Sequence, residues 1–232
     1  MEFLAELSDR VALPYLIKAA QYPLLLTAVS MPLAVLFGLL LALMRTSRKA
    51  WLSWPAATYI EIVRGTPLLV QMFLVYYSLP LLNPALTLSP IPCGILCLSA
   101  NYAAYEAEVH RAGLQAIDRG QMEAALSIGM SRPQAFRLII FPQAFRVVLP
   151  PVINDSIAML KDSCLTSVIG VPELLDRAKA IGKERYNYEE MYVAASLLYM
   201  IMSLAFYFLG KWVESRLKTK GGTELEQRVH GH

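Results

Sequence analysis

Four acidic residues lie within long apolar stretches of the chain, and they are the first indication of chemistry: Glu106, Glu108, Asp155 and Asp162. An ionised side chain at membrane depth costs about 2.5–3.5 kcal/mol on insertion scales, so each of these acids needs a physical reason. A bound cation, a buried ion pair or a helix interface would supply one. Glu106 and Glu108 are about 200° apart on a helix, so both cannot face one central pathway.

Helical spacing shows which of these acids can share a face with another candidate residue. Asp155 and Asp162 are seven residues apart and share nearly one helical face if the helix continues past Pro151. Tyr105 and Glu108 share a face at i and i+3. The sequence therefore places Asp155 and Asp162 on nearly one face and divides Glu106 and Glu108 between two faces.

Structural roles are open for both glutamates of the third apolar region. Glu108 is equally consistent with a buried salt bridge, with Arg111 or Lys161 as its partner. For Glu106 a local structural or subunit-interface role is the favoured interpretation.

The elements that carry these acids are predicted to be membrane-spanning helices. The chain has 232 residues, of which 56% are hydrophobic and 17% are charged. Residues 22–44 contain no charge and would form a helix of about 34 Å, enough to cross a bilayer core of about 30 Å. This first run starts too late for a cleaved signal peptide and has no basic region before it. We therefore predict an all-α, multi-spanning membrane protein.

About five transmembrane helices are expected, with a short cytoplasmic helix between the third and the fourth. The predicted spans are residues 22–44, 55–82, 91–112, 136–171 and 191–212. The fourth region is expected to be broken by Pro142, Pro150 and Pro151. We divide the chain into an interfacial segment at 1–21, a transmembrane domain at 22–212 and a polar tail at 213–232. Residues 172–190 are expected to form a charged loop.

The distribution of lysine and arginine predicts the orientation. The side of the membrane that receives residues 45–49, 111–137 and 211–220 carries more basic residues than the opposite side. The positive-inside rule makes that side cytoplasmic, which leaves the amino terminus outside and the carboxyl terminus in the cytoplasm. The four basic residues of the loop at 172–190 weaken this asymmetry without reversing it.

The cytoplasmic segment at 116–133 has the local pattern of a helix, a glycine turn and a second helix. Asp118 followed by Gln121 has the outline of a capping box, which predicts a helix start near Arg119. Gly129 suits the left-handed position that ends a helix. Ser131 and the glutamine three residues later repeat the capping outline.

The first of these short helices is a candidate docking element. Ala124, Ala125 and Ile128 can form a small apolar knob that fits a groove on a partner protein. Spacing alone is equally satisfied by a helical connector between two spans, since such links are common.

Four segments together carry a family resemblance. Glu123-Ala124-Ala125, followed by Gly129 and then by IIFP at 139–142, resembles the EAA motif of ABC importer permeases. The family usually has leucine where this chain has Phe141. The stretches EIVRGTPLLVQMFLVYY (61–77), NYAAYEAEVHRAG (101–113) and LKDSCLTSVIGVPEL (160–174) resemble signatures of polar amino acid permeases, and they occur in the same order.

The resemblance implies a transmembrane subunit of a bacterial type I ABC importer for a polar amino acid. It implies that a coupling helix seats in the ATPase subunit, with these residues at the contact: Glu123, Ala124, Ala125, Ile128 and Gly129. The candidate substrate-binding residues are Thr66, Gln71, Tyr105, Glu108, Asn154 and Asp155, and the weaker candidates are Glu106, Lys161 and Asp162.

Simpler roles stay open for two of these candidates. Thr66 and Pro67 are also explained by a helix start with proline near its first turn. Gln71 is also explained by a hydrogen bond between helices.

The implied partners are separate proteins. The sequence contains no G-x-x-x-x-G-K-[ST] loop, so ATP and magnesium are expected in a partner ATPase, itself a homodimer, and no cofactor is expected in this chain. Further expected partners are a second permease copy or a close paralogue and an extracytoplasmic solute-binding protein. His110, His230 and His232 form no metal-ligand pattern. The net charge of +3 gives no indication of nucleic acid binding, and the expected location is the bacterial inner membrane.

Two other classes of function remain as alternatives. An ion-coupled secondary carrier would use the buried acids as ion sites, although the chain shows no inverted repeat. A membrane scaffold would explain the cytoplasmic helix but not the buried acids. Within the importer hypothesis, Glu108 and Asp155, with Glu106 as an extra acid, favour a cationic amino acid such as arginine, lysine or histidine.

Overall fold

The computed structural model describes residues 12–217, and within that range the chain is helical without a β-strand. This confirms the all-α fold class. The helices are α1 (Ala12–Ala19), α2 (Gln21–Arg45), α3 (Ala50–Arg64), α4 (Leu68–Leu82), α5 (Pro90–Gln115), α6 (Arg119–Ser127), α7 (Arg132–Ile169), α8 (Leu174–Arg185) and α9 (Tyr188–Leu217). The predicted interfacial segment and polar tail lie largely outside the described residues.

Length and composition identify the helices that can cross a membrane. Within residues 12–217, three continuous stretches qualify, at Leu13–Arg45, Arg132–Ile169 and Tyr188–Leu217. The pair α3 and α4 qualifies as a fourth if it is counted as one bent span. Helix α5 is absent from this set, although its 26 residues would extend about 39 Å. Large apolar side chains cover the outer faces of the bundle, as a lipid environment requires.

Helix α5 is the central element of the bundle, which explains its lower hydropathy. It packs along the full length of α2 and also contacts α3, α4 and α7. Its buried residues include Cys93, Cys97, Leu98 and Tyr102, which join Leu26 of α2 in the main core. A helix enclosed by other helices can carry polar side chains toward protein partners instead of lipid.

The second predicted span consists of two helices that together still qualify as one bent span. The interpretation of Thr66 and Pro67 as a helix start is confirmed, because Pro67 directly precedes the second helix. Helix α3 ends at Arg64, α4 begins at Leu68, and their axes differ by 105°. Pro67 has φ −66° and ψ 135°, an extended conformation that cannot continue a helix. Since proline lacks an N–H and disfavours the helical conformation of the residue before it, the break falls at Gly65–Thr66–Pro67.

The fourth region is more continuous than predicted. Pro150 and Pro151 lie inside a regular stretch of α7, and Pro142 lies in the first turn after a π-helical segment at Phe136–Ile140. The expected breaks at the three prolines are therefore absent. The wider π turn at 136–140 accommodates the first proline, because it has already altered the hydrogen-bond ladder there.

The charged segment at 172–190, predicted as a loop, contains helix α8. Glu173 caps this helix, and its carboxylate accepts hydrogen bonds from the backbone N–H groups of Leu175 and Asp176, both at 2.8 Å. The hydroxyl of Tyr199 on α9 donates a third bond at 2.6 Å. Burial raises the pKa of Glu173, although these three donors favour its ionised form. The carboxylate thus ties α8 to α9.

Candidate functional site

A polar cavity of about 560 Å³ lies where the break between α3 and α4 meets the central helix α5 and helix α7. Eleven residues line it: Arg64, Gly65, Thr66, Pro67, Leu68, Asn101, Tyr102, Tyr105, Asp155, Ala158 and Asp162. The structure therefore brings together four of the residues selected from the sequence, namely Thr66, Tyr105, Asp155 and Asp162. Ionisable residues that line such a cavity at membrane depth mark it as a candidate functional site.

Charged groups of both signs face this cavity. The guanidinium group of Arg64 lies 5.4 Å from the ring centre of Tyr105, within the range of a cation–π contact. Asp155 and Asp162 supply two carboxyl groups from one face of α7. The hydroxyl of Tyr102 donates a hydrogen bond of 2.8 Å to Asp162. The lining therefore contains one fixed positive group and two acidic groups.

Gln71 lies behind the cavity and holds two of its lining residues. Its amide nitrogen donates to the Thr66 hydroxyl at 2.8 Å and to the Val63 carbonyl at 2.9 Å. Its amide oxygen accepts a hydrogen bond of 3.0 Å from Asn101 on α5. Gln71 is thus an interhelical hydrogen-bonding residue, the alternative role that its position allowed. It joins both sides of the helix break to the central helix.

Glu108 is not brought into the cavity. Its two carboxylate oxygens pair with Arg45 at 2.5 Å and with Arg111 at 2.6 Å, and its side chain is 18% exposed. Arg45 also contacts Glu61 at 3.2 Å, so the four residues form one network between α2, α3 and α5. This is the salt-bridge role that the sequence left open for Glu108. The prediction that Glu108 surrounds the substrate is not supported by this position, because Glu108 does not line the cavity.

Three further candidates lie away from the lining. Asn154 and Lys161 have exposed side chains on other faces of α7. Glu106 is fully buried behind the cavity, and its carboxyl group contacts that of Asp155. No group of three or more His, Cys, Asp or Glu residues that could hold a metal ion occurs within residues 12–217.

Sequence reasoning missed Arg64, Asn101 and Tyr102 as lining residues. Arg64 immediately precedes the helix break, so its importance depends on a bend that was not predicted. Asn101 and Tyr105 are four residues apart on α5 and so share a face, which is a signal that could have identified Asn101.

The segment at 116–133 forms the predicted helix, turn and second helix. The side chain of Asp118 accepts a hydrogen bond from the Gly120 N–H and caps α6, in place of the expected contact with Gln121. Gly129 has φ +87°, as predicted for a left-handed helix end. The backbone N–H of Ser131 donates to the Gln134 side chain at 2.9 Å, which confirms the second capping contact.

The proposed apolar knob is only partly exposed. Ile128 is 78% exposed, and Glu123 and Ala124 are also exposed. Ala125 is 1% exposed, so it cannot contact a partner without rearrangement. Ala125 faces its own chain, because α6 packs back on the segment around Arg132–Ile140. The predicted contact surface is therefore corrected to exclude Ala125.

The fold and the cavity define a class: a helical membrane protein with a polar site at a broken span and a short helix exposed outside the bundle. Residues 34–219 match the family of binding-protein-dependent transport system inner membrane components. The chain belongs to this family, which is made up of the transmembrane permeases of ABC importers. The family predicted from the EAA segment is confirmed.

Two relatives and one solved structure illustrate the likeness. The chain is 41% identical to the probable amino-acid ABC transporter permease protein YckA of Bacillus subtilis, over 84% of this chain and 86% of the relative. It is 34% identical to the arginine transport system permease protein ArtQ of the same organism, over 89% and 94% of the two chains. A crystal structure of an amino acid ABC transporter with histidines superposes with a TM-score of 0.84 at 38% identity, covering 93% of this chain and 99% of that one.

Proposed function

We propose that this permease forms the membrane pathway for a cationic amino acid, and that the cavity at the helix break binds that substrate. The observation that carries the proposal is the charge inventory of the lining, with Arg64 opposite two acids. An amino acid brings one carboxylate and one ammonium group. Arg64 can pair with the carboxylate and one acid with the ammonium group, which leaves the second acid for a positively charged side chain.

The names of the relatives support an amino acid substrate. They include an arginine transport permease and probable amino-acid permeases. The family favours a permease that works with a solute-binding protein over the ion-coupled carrier and the scaffold. In our proposal ATP and magnesium bind to a separate ATPase dimer, and the second half of the pathway comes from another permease copy or a paralogue.

Helix α6 is our candidate for the contact with the ATPase. Glu123, Ala124 and Ile128 are exposed, whereas Ala125 anchors the helix to its own chain. A rigidly anchored helix transmits a push to the bundle, which is what coupling to ATP hydrolysis requires. The proposal places this helix in the cytoplasm and the amino terminus outside, as the basic residues predict.

Asp155→Asn in the permease–ATPase complex tests the cationic substrate. Binding of L-arginine and of L-glutamine is measured directly to the purified permease–ATPase complex without the binding protein, since that protein can impose its own selectivity. A charge pair at about 4 Å contributes about 1–4 kcal/mol between water-like and protein-like dielectric values, which is roughly a 5- to 1,000-fold change in affinity. We expect the L-arginine affinity to fall within this range and the L-glutamine affinity to change much less.

Glu108→Gln is the matched control, because it removes a carboxylate that lies outside the cavity. It should leave the ratio of the two affinities unchanged. Equal losses for both amino acids in Asp155→Asn would place Asp155 at the substrate ammonium group or in the fold. The same result in Asp162→Asn as well would contradict the cationic assignment. An unchanged arginine affinity would remove Asp155 from the site altogether.

A further inference from the structure

Glu106 presents a buried carboxyl group for which residues 12–217 supply no hydrogen-bond donor. The residue is 0% exposed, and neither carboxylate oxygen has a donor partner in the described part of the chain. The carboxyl group of Asp155, itself an acid, lies against it and as an ionised carboxylate offers no hydrogen. An ionised carboxylate in such surroundings would lack both a counter-charge and hydrogen bonds, which is among the costliest arrangements in a protein interior.

Neither Glu108 nor Arg64 supplies a counter-charge to the pair formed by Glu106 and Asp155. Glu108, two residues along α5, is directed to Arg45 and Arg111 on another face. Arg64 lies over the ring of Tyr105, across the cavity lining.

Asp162 on α7 and Gly38 on α2 offer no donor either. On α7, Asp162 is occupied by the hydroxyl of Tyr102. On α2, the nearest residue is Gly38, whose position lies so close to the Glu106 backbone that no further side chain fits between the helices. The pair is therefore closed off on the α2 side.

Two acids in contact can form a hydrogen bond only if one of them keeps its proton. Ionising both would place like charges side by side in a low dielectric, which proteins avoid by retaining one proton between the two groups. The protonated partner then donates to the ionised one, and this bond satisfies the polar atoms that otherwise have no partner. The burial of Glu106 and the cavity position of Asp155 indicate which group carries the charge toward the substrate.

We propose that Glu106 and Asp155 share a single proton, and that Glu106 is the positioning residue that holds the charged Asp155 toward the cavity. The pair then contributes one negative charge to the site instead of two. With Asp162 and Arg64, the lining keeps one acid in excess, enough for one cationic side chain. Glu106 thereby sets the charge that the cavity offers to its substrate, a role that rests on the proposed function.

The proton itself can be observed without any substrate. Infrared difference spectra are recorded at neutral pH between the wild-type permease–ATPase complex in lipid nanodiscs and the same complex with Glu106→Gln. We expect the C=O stretching band of a protonated carboxylic acid to disappear in the variant. The matched control Glu108→Gln should instead remove a carboxylate band, because that residue is held ionised by two arginines.

Loss of a carboxylate band in Glu106→Gln would overturn the proposal, because it would show that both acids are ionised and that a bound cation is needed between them. Glu106→Met provides a second variant without a titratable group, and it should remove the same acid band. This measurement does not depend on what the importer carries. If the acid band is observed as expected but the Asp155→Asn affinity test fails, this inference is retained and the proposed substrate is rejected.

Affinity measurements test the positioning role. The side-chain amide introduced by Glu106→Gln can donate to Asp155 as the protonated acid does, so L-arginine affinity should stay within about twofold of wild type. Glu106→Met offers no donor and should weaken L-arginine binding. If both acids were ionised, Glu106→Gln would remove one of two charges and lower the affinity roughly tenfold or more, which would contradict the shared proton.

Discussion

The contact between α2 and α5 allows a destabilising substitution to be predicted with a magnitude. A Cβ atom at Gly38 would lie 2.5 Å from the Glu106 Cβ and 3.0 Å from the Ala107 backbone nitrogen, inside the 3.4 Å at which ordinary van der Waals contact begins. These atoms belong to the α5 backbone or are fixed to it, so no side-chain rotation relieves the overlap. Gly38→Ala must therefore push apart the most extensive helix pair of the bundle.

The expected cost follows from two opposing terms. Overpacking in a close-packed interior costs about 1–3 kcal/mol. Alanine recovers about 0.5–1 kcal/mol relative to glycine within a helix. The net cost is therefore up to about 2.5 kcal/mol. Because the overlap is with atoms fixed to the α5 backbone, we expect the upper part of this range. For a chain of this size a destabilisation of 1 kcal/mol lowers the melting temperature by about 2–4 °C, so Gly38→Ala should lower it by up to about 10 °C.

Thermal unfolding of the purified complex, followed by far-ultraviolet circular dichroism at a fixed scan rate, measures this effect. Gly94→Ala is the graded comparison on α5, because its Cβ would meet the Thr166 methyl group at 3.0 Å and no backbone atom. Its melting temperature should fall less than that of Gly38→Ala. A Gly38→Ala protein as stable as wild type would refute the reasoning and would mean that α2 and α5 separate at little cost.

Two further predictions concern coupling and topology. Gly129 has φ +87°, a conformation that valine adopts only with strain and asparagine tolerates. Gly129→Val should therefore insert normally but lose substrate-stimulated ATPase activity in the reconstituted complex, whereas Gly129→Asn should retain most of it. Equal activity in both variants would argue against coupling through α6. Topology is tested by cysteine labelling in a background without the three native cysteines, using sealed right-side-out membranes and an impermeant thiol reagent. Ser127→Cys should be shielded from the reagent, and Glu184→Cys on α8 should react. The reverse labelling pattern would invert the proposed orientation.

The sequence predicted the helical class and the local turns well, because these depend on short-range rules. The charge-free run at 22–44 corresponds to α2, and the left-handed glycine follows from its place after a helix. A helix start at Thr66 and Pro67 was predicted as one interpretation, but the 105° bend was missed because periodicity alone does not report an axis direction. Helix α8 was missed because its polar surface resembles a loop, while the buried Glu173 cap is visible only in three dimensions.

The roles of the two glutamates on α5 show where sequence reasoning ends. Their angular separation was predictable, but which face meets the cavity depends on the partners of α5. Glu108 faces Arg45 and Arg111, and the spacing to Arg111 was visible in the sequence. Glu106 was assigned a structural role because its neighbours were unknown, and only its contact with Asp155 connects it to the cavity.

The cavity lies at the break between α3 and α4, so the candidate site and the irregularity of the fold are the same feature. A straight span would satisfy every backbone group internally and would present only side chains to the pathway. Here the side-chain amide nitrogen of Gln71 donates hydrogen bonds to the carbonyl groups of Val63 and Thr66, at 2.9 and 3.2 Å. A side chain of the protein therefore stabilises the interruption. The interruption depends on the side chain of Gln71 and on the three residues of the break. We expect substitutions at Gly65–Thr66–Pro67 and at Gln71 to disturb the shape of the cavity, and substitutions of the side chains that this frame supports to change only its chemistry.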